Sequence, residues 1–99
     1  MKELLVGATL AILAASAIGA DQAVVDRYQK SCAICHENGV SGAPKTHAAD
    51  AWKPHLAKGS DALVNSVKNG LNAMPPRGMC FDCYDVDFKA LIDYMAAPK

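Results

Sequence analysis

Five consecutive residues, Cys32-Ala33-Ile34-Cys35-His36, bring two thiols and an imidazole together at a chemically useful spacing. Cysteines three apart on one helical turn can each add to a vinyl group of a haem and form a thioether. The histidine that follows is then set beneath the porphyrin, where its imidazole can bind iron. C-x-x-C-H is the attachment signature of c-type haem. The motif therefore predicts one covalently bound haem c with its iron, held by Cys32, Cys35 and His36.

A second axial ligand is sought downstream. Met74 lies 38 residues after His36, in Asn72-Ala73-Met74-Pro75-Pro76. Prolines stiffen the backbone on which a thioether would be carried to the other haem face. Histidine nitrogen with methionine sulfur is an electron-transfer ligand pair that raises the reduction potential. Met79, His47 and His55 are rivals for the position, whereas Met95 falls on a helical apolar stripe and reads as core filling.

These groups must be positioned by helices. Apolar spacing predicts a first helix over 21–33, with Ala23, Val24, the stem of Arg27 and Tyr28 on one face. Residues 37–49 carry Gly39, Gly42 and Pro44 and read as a loop. A short helix over 50–57 must accommodate Pro54. Ser60 is the expected N-cap of the next helix, which buries Leu63, Val64, Val67 and Leu71 and ends near Gly70 and Asn72. A loop over 73–83 precedes a last helix over 85–97, with Phe88, Leu91, Ile92 and Met95 as its stripe. Nothing alternates with period two, so the fold class is all-α, with four to five helices around the haem.

The chain has 99 residues and opens on Met1-Lys2-Glu3, followed by an apolar run from Leu4 to Ala20 that ends in small residues. A charged start, an apolar middle and a small-residue end form a secretory signal peptide. Cleavage is expected after Ala20 (Ala17 is the other option), which leaves 21–99 as one domain. The alternative is a retained membrane anchor. Either route places the cysteines outside the cytoplasm, in a bacterial periplasm, where disulfides persist. A domain this small buries a marginal core and needs a staple such as a cofactor or a disulfide. Setting aside Lys2 and Glu3, the remainder holds nine basic and nine acidic residues, so its formal charge is near zero. No basic stripe points to nucleic acid.

Taken together, the motif and the Ala-Met-Pro-Pro loop resemble those of class I c-type cytochromes. The chain is closest to the cytochrome c5 group, which pairs Ser-Cys-x-x-Cys-His with Gly-x-x-Gly-Ala-Pro, present here from Gly39 to Pro44. That group also carries Asn-Ala-Met-Pro-Pro and a second C-x-x-C before the last helix, here Cys80 and Cys83. His47 departs from the pattern, at a position where a small or acidic residue is expected. The resemblance implies that the Pro44 carbonyl accepts the His36 ring N–H. It also implies that Tyr28 meets Leu91 and Tyr94 where the first and last helices cross. Trp52 is implied to line the haem pocket, with its indole N–H able to donate to a propionate; plain core filling is the alternative reading. Arg77 either neutralises a propionate or is solvated. For Cys80 and Cys83 the resemblance implies a structural disulfide that steadies the Met74 loop. A redox-active dithiol and a zinc site using all four cysteines are the other readings of that pair.

With both axial positions filled, no site remains for oxygen or substrate, so the expected role is an electron carrier and not an enzyme. Its haem edge would be ringed by Ala33, Gly39, Val40 and Ala43 and would dock redox partners through a small interface. The partners expected are periplasmic or membrane-bound redox proteins, with a quinol-cytochrome c reductase as donor and a terminal oxidase or reductase as acceptor. The membrane is met only transiently, and the chain is a monomer or a weak homodimer. The alternative function is a five-coordinate haem protein with peroxidase or gas-binding activity.

Overall fold

A computed structural model describes residues 21–99. The expected signal peptide over 1–20 lies outside the described residues. Five α-helices follow one another: α1 Gln22–Arg27, α2 Ala33–His36, α3 Ala49–Leu56, α4 Ser60–Asn69 and α5 Asp85–Ala96. Among the described residues the only β pairing is an isolated bridge between Leu71 and Met74. No described helix is long and apolar enough to cross a membrane.

The first helix does not stop at residue 33. A π-helical turn, Tyr28–Cys32, joins α1 to α2, so helical backbone continues to His36. Wider turns of this kind recur at functional sites. Here the turn lets Tyr28 pack on α5 while Cys35 and His36, further along, line a cleft. Ala23, expected on the buried face, is exposed, and Val24 and Tyr28 make the contact with the core instead.

Core packing joins α1, α3, α4 and α5. Tyr28, Trp52, Leu63, Val64, Phe88, Leu91, Ile92 and Met95 are all buried in one cluster. Each large apolar side chain so buried contributes about 1.5–3 kcal/mol. The rings of Tyr28 and Tyr94 meet edge-on at 5.1 Å, where α1 crosses α5. An Arg27–Asp87 ion pair at 2.7 Å ties the same helices, and the Asp87 carboxylate also accepts the Tyr84 N–H at the start of α5.

Two boundaries differ from the sequence expectation. Gly59, not Ser60, caps α4, because the chain enters at φ +93°, a conformation that favours glycine. Leu71 is not on the buried face of α4. That helix ends before Gly70, whose φ of +86° turns the chain away and leaves Leu71 45% exposed.

Candidate functional site

His36 is held at three points. Its Nδ1 lies 2.8 Å from the Pro44 carbonyl, which has no proton to give, so Nδ1–H donates and Nε2 is left for another partner. Its backbone carbonyl accepts the Thr46 N–H at 2.9 Å, with the Thr46 hydroxyl at 3.3 Å. The Trp52 ring stacks beside the imidazole at 5.6 Å and 27°. An imidazole oriented in this way through one nitrogen is arranged to give the other to a metal.

A strut supports that loop. The buried Tyr28 hydroxyl lies 2.5 Å from a Glu37 carboxylate oxygen and 2.7 Å from Thr46 Oγ1. Burial, followed by the hydrogen bond to Glu37, pushes the Tyr28 pKa up from 10.0 to about 12. The chain on both sides of His36 is thereby pinned to the π-helical turn.

The cleft itself is lined by Cys32, Cys35, His36, Pro44 and Met74, with Met79 and His55 also on its wall. It encloses about 820 Å³ of atom-free space, counting its open mouth. Cys32 and Cys35 are half-buried free thiols. Burial pushes the Cys32 thiol up, which is the reverse of the lowered pKa that makes a reactive redox thiolate.

Met74 is carried by a tight turn. Its N–H donates to the Leu71 carbonyl at 2.9 Å, and its carbonyl accepts the Leu71 N–H at 3.0 Å. Gly78, buried beneath it at φ +54°, leaves room for the thioether: a Cβ there would come within 3.0 Å of Met74 Cε. Gly78 is a site residue that sequence reasoning passed over, although its place between Arg77 and Met79 was a signal for a special turn. The donor set therefore suits a covalently attached haem, with two thiols three residues apart, an oriented imidazole and a thioether on one cleft.

Other expectations are corrected. For Trp52 the core-filling reading holds: the ring is buried in the apolar cluster and its indole N–H donates to the Lys45 carbonyl at 2.9 Å. Arg77 is half-buried and stands outside the cleft wall. Its guanidinium donates to the Cys83 carbonyl and lies 5.2 Å over the Phe88 ring. His47 does not line the cleft and so leaves the ligand candidates. Its Nδ1 donates to the Ala97 carbonyl at 2.7 Å and its ring meets Tyr94, so it clamps the end of α5. On the rim, Val40 and Ala43 are present as expected, but Ala33 packs on the core and Gly39 turns against the Lys45 side chain. Leu71 and Met79 take their places on the wall, 45% and 47% exposed.

Cys80 and Cys83 are joined by a disulfide and are both buried. With Asp82 they form the one cluster among the described residues close enough to share an ion, and the two sulfurs are bonded to each other. A zinc site drawn from all four cysteines is thereby ruled out.

An all-helical shell around a cleft that presents C-x-x-C-H and a methionine loop defines a c-type cytochrome. The sequence profile of the family described as cytochrome C oxidase, cbb3-type, subunit III matches residues 19–95. Cytochrome c5 of Ectopseudomonas mendocina is 40% identical over 85 residues, covering 84% of this chain and 98% of that protein. A mono-haem ferrocytochrome c from Shewanella putrefaciens is 56% identical with a TM-score of 0.68, covering 77% of this chain and 94% of that one. A cytochrome c solved in an electron transfer complex with nitrite reductase is 40% identical with a TM-score of 0.69, covering 78% and 94%. The chain belongs to this cytochrome family and, within the class I c-type cytochromes, stands close to cytochrome c5. It is a small electron carrier and not an enzyme, and its cofactor is covalently attached haem c with iron.

Proposed function

We propose that the chain is a periplasmic carrier that shuttles single electrons between respiratory redox proteins, with His36 and Met74 as the two axial ligands. The observation that carries this reading is the 2.8 Å hydrogen bond from His36 Nδ1 to Pro44, made on the same cleft that Met74 lines. Cys32 and Cys35 supply the thioether sulfurs. Haem c, once bound, provides a ferrous/ferric couple. The protein's part is to hold His36 by three contacts and Met74 by a stiff turn, so that both oxidation states meet one ligand geometry. That constancy keeps electron exchange fast and leaves no open position for substrate.

Partners would meet the cleft mouth, where Val40, Leu71 and Met79 expose apolar surface. Small apolar contacts suit brief redox encounters. A terminal oxidase or reductase fits as acceptor and a quinol-cytochrome c reductase as donor. The relative in complex with nitrite reductase supports redox proteins as the partner class. Near-zero formal charge gives weak electrostatic steering, so partner rates should depend only shallowly on salt. Residues 1–20 would direct export and then be removed.

The deciding experiment expresses the full chain with periplasmic haem attachment and records two spectra. A pyridine haemochrome of c type and a methionine-to-ferric charge-transfer band in the near-red are expected, and Met74→Ala should abolish the band. Fast carbon monoxide binding by the unmutated ferrous protein would support the five-coordinate reading and sink this one.

A further inference from the structure

Haem c carries two propionates, and the cleft offers few groups to meet them. Among the described residues on its wall, the ionisable side chains are Cys32, Cys35, His36 and His55. The first three are assigned to thioethers and iron. The two groups that the sequence pointed to are engaged elsewhere, Arg77 on the Cys83 carbonyl and Trp52 on the Lys45 carbonyl. His55 remains.

His55 stands on α3, one turn after Trp52, with its ring edge-on to the indole at 6.1 Å and 68°. Trp52 in turn stacks on His36. The core that orients the proximal histidine therefore also orients His55. It is half-buried, and among the described residues no hydrogen bond or ion pair engages its imidazole. An imidazole is a donor in either protonation state and a cation in one of them. Carboxylate is the ligand chemistry that such a group matches.

We propose that His55 receives a propionate of the haem, an inference that rests on the haem-binding reading above. A donor at this point offsets negative charge near the iron. Without it the ferric state gains, so His55→Gln should lower the ferrous-to-ferric ratio at a fixed solution potential by roughly threefold to tenfold. His55→Lys, which supplies a donor and a positive charge there, should restore most of the ratio.

The test is made on the haem-loaded full chain with two readouts. Spectroelectrochemistry compares the wild type, His55→Gln and His55→Lys. Nuclear Overhauser contacts in the wild type are sought between His55 ring protons and the propionate methylenes. The expected result is a contact to one propionate, a lowered ratio in His55→Gln and its recovery in His55→Lys. Absence of the contact, or an unmoved ratio in His55→Gln, overturns the proposal. The near-red methionine band and the haemochrome are recorded on the same samples. Their absence from the wild type overturns the underlying haem reading instead, so the two failures are told apart.

Discussion

The Nδ1–H of His36 donates to the carbonyl of Pro44 at 2.8 Å, and Pro44 can hold that carbonyl in place because its own ring fixes φ. Two residues further on, Thr46 returns to the His36 carbonyl. A three-residue stretch of loop thus grips one histidine by both side chain and backbone. With His36 as the proposed iron ligand, relaxing this grip should reach the iron. Pro44→Ala frees the backbone and costs about 0.4–1 kcal/mol through the unfolded chain. It also weakens the hydrogen bond that makes the imidazole a stronger donor, so the ferric state loses support and the reduction potential should rise. Redox titration of the variant checks this, and an unchanged or lower potential contradicts it.

Gly78 gives a sharper test of the methionine loop. Its φ is +54°, and a Cβ would stand 3.0 Å from Met74 Cε. Gly78→Ala therefore combines about 1–2 kcal/mol of left-handed strain with a direct push on the thioether. A weakened near-red band and faster carbon monoxide binding are expected, together with a lower melting temperature. A variant that lost stability but kept the band at full strength would show that Met74 is not the ligand this glycine serves.

Tyr28 links stability to pH at the alkaline end. Its pKa rises from 10.0 in the unfolded chain to about 12 in the fold, chiefly through burial and then through Glu37. Between those values the folded state keeps a proton that the unfolded state has lost. Higher pH therefore favours unfolding there. The stabilising contribution is complete below pH 10 and should disappear as pH rises through about 12. Tyr28→Phe removes this dependence and costs about 1–3 kcal/mol at neutral pH, because Glu37 and Thr46 lose their shared partner. Denaturant titrations of both proteins at pH values on either side of 10 provide the measurement.

The residues that the fold gathers on one cleft were legible in the sequence because C-x-x-C-H spacing keeps Cys32, Cys35 and His36 within about one helical turn, and the prolines after Met74 mark a stiff loop. Helix stripes such as Phe88, Leu91, Ile92 and Met95 were legible for the same kind of reason, since one face of α5 is buried. What could not be read is which partner a polar group takes in three dimensions. Trp52 and Arg77 both have an N–H that suits a propionate, but each finds a backbone carbonyl nearer, on Lys45 and Cys83. Leu71 has the right period for α4 and yet falls beyond it, because Gly70 adopts positive φ. The π-helical turn at Tyr28–Cys32 leaves no trace in periodicity at all, being one widened turn within an otherwise helical pattern.

Arg77 separates the two accounts of charge near the haem. If it neutralised a propionate, Arg77→Gln would shift the reduction potential. The fold instead sets its guanidinium on the Cys83 carbonyl and over Phe88, where it fastens the disulfide loop to α5. Loss of a charge-assisted hydrogen bond costs about 1.5–3 kcal/mol, and the contact with Phe88 adds about 0.5–1 kcal/mol. In a domain of this size each kcal/mol moves the melting temperature by about 4–8 °C. Arg77→Gln should therefore melt well below the wild type while its potential stays within error. Arg77→Lys should recover little, because an ammonium cannot lie flat on the ring and reach the carbonyl together. A variant with an unmoved melting temperature and a shifted potential would return Arg77 to the haem.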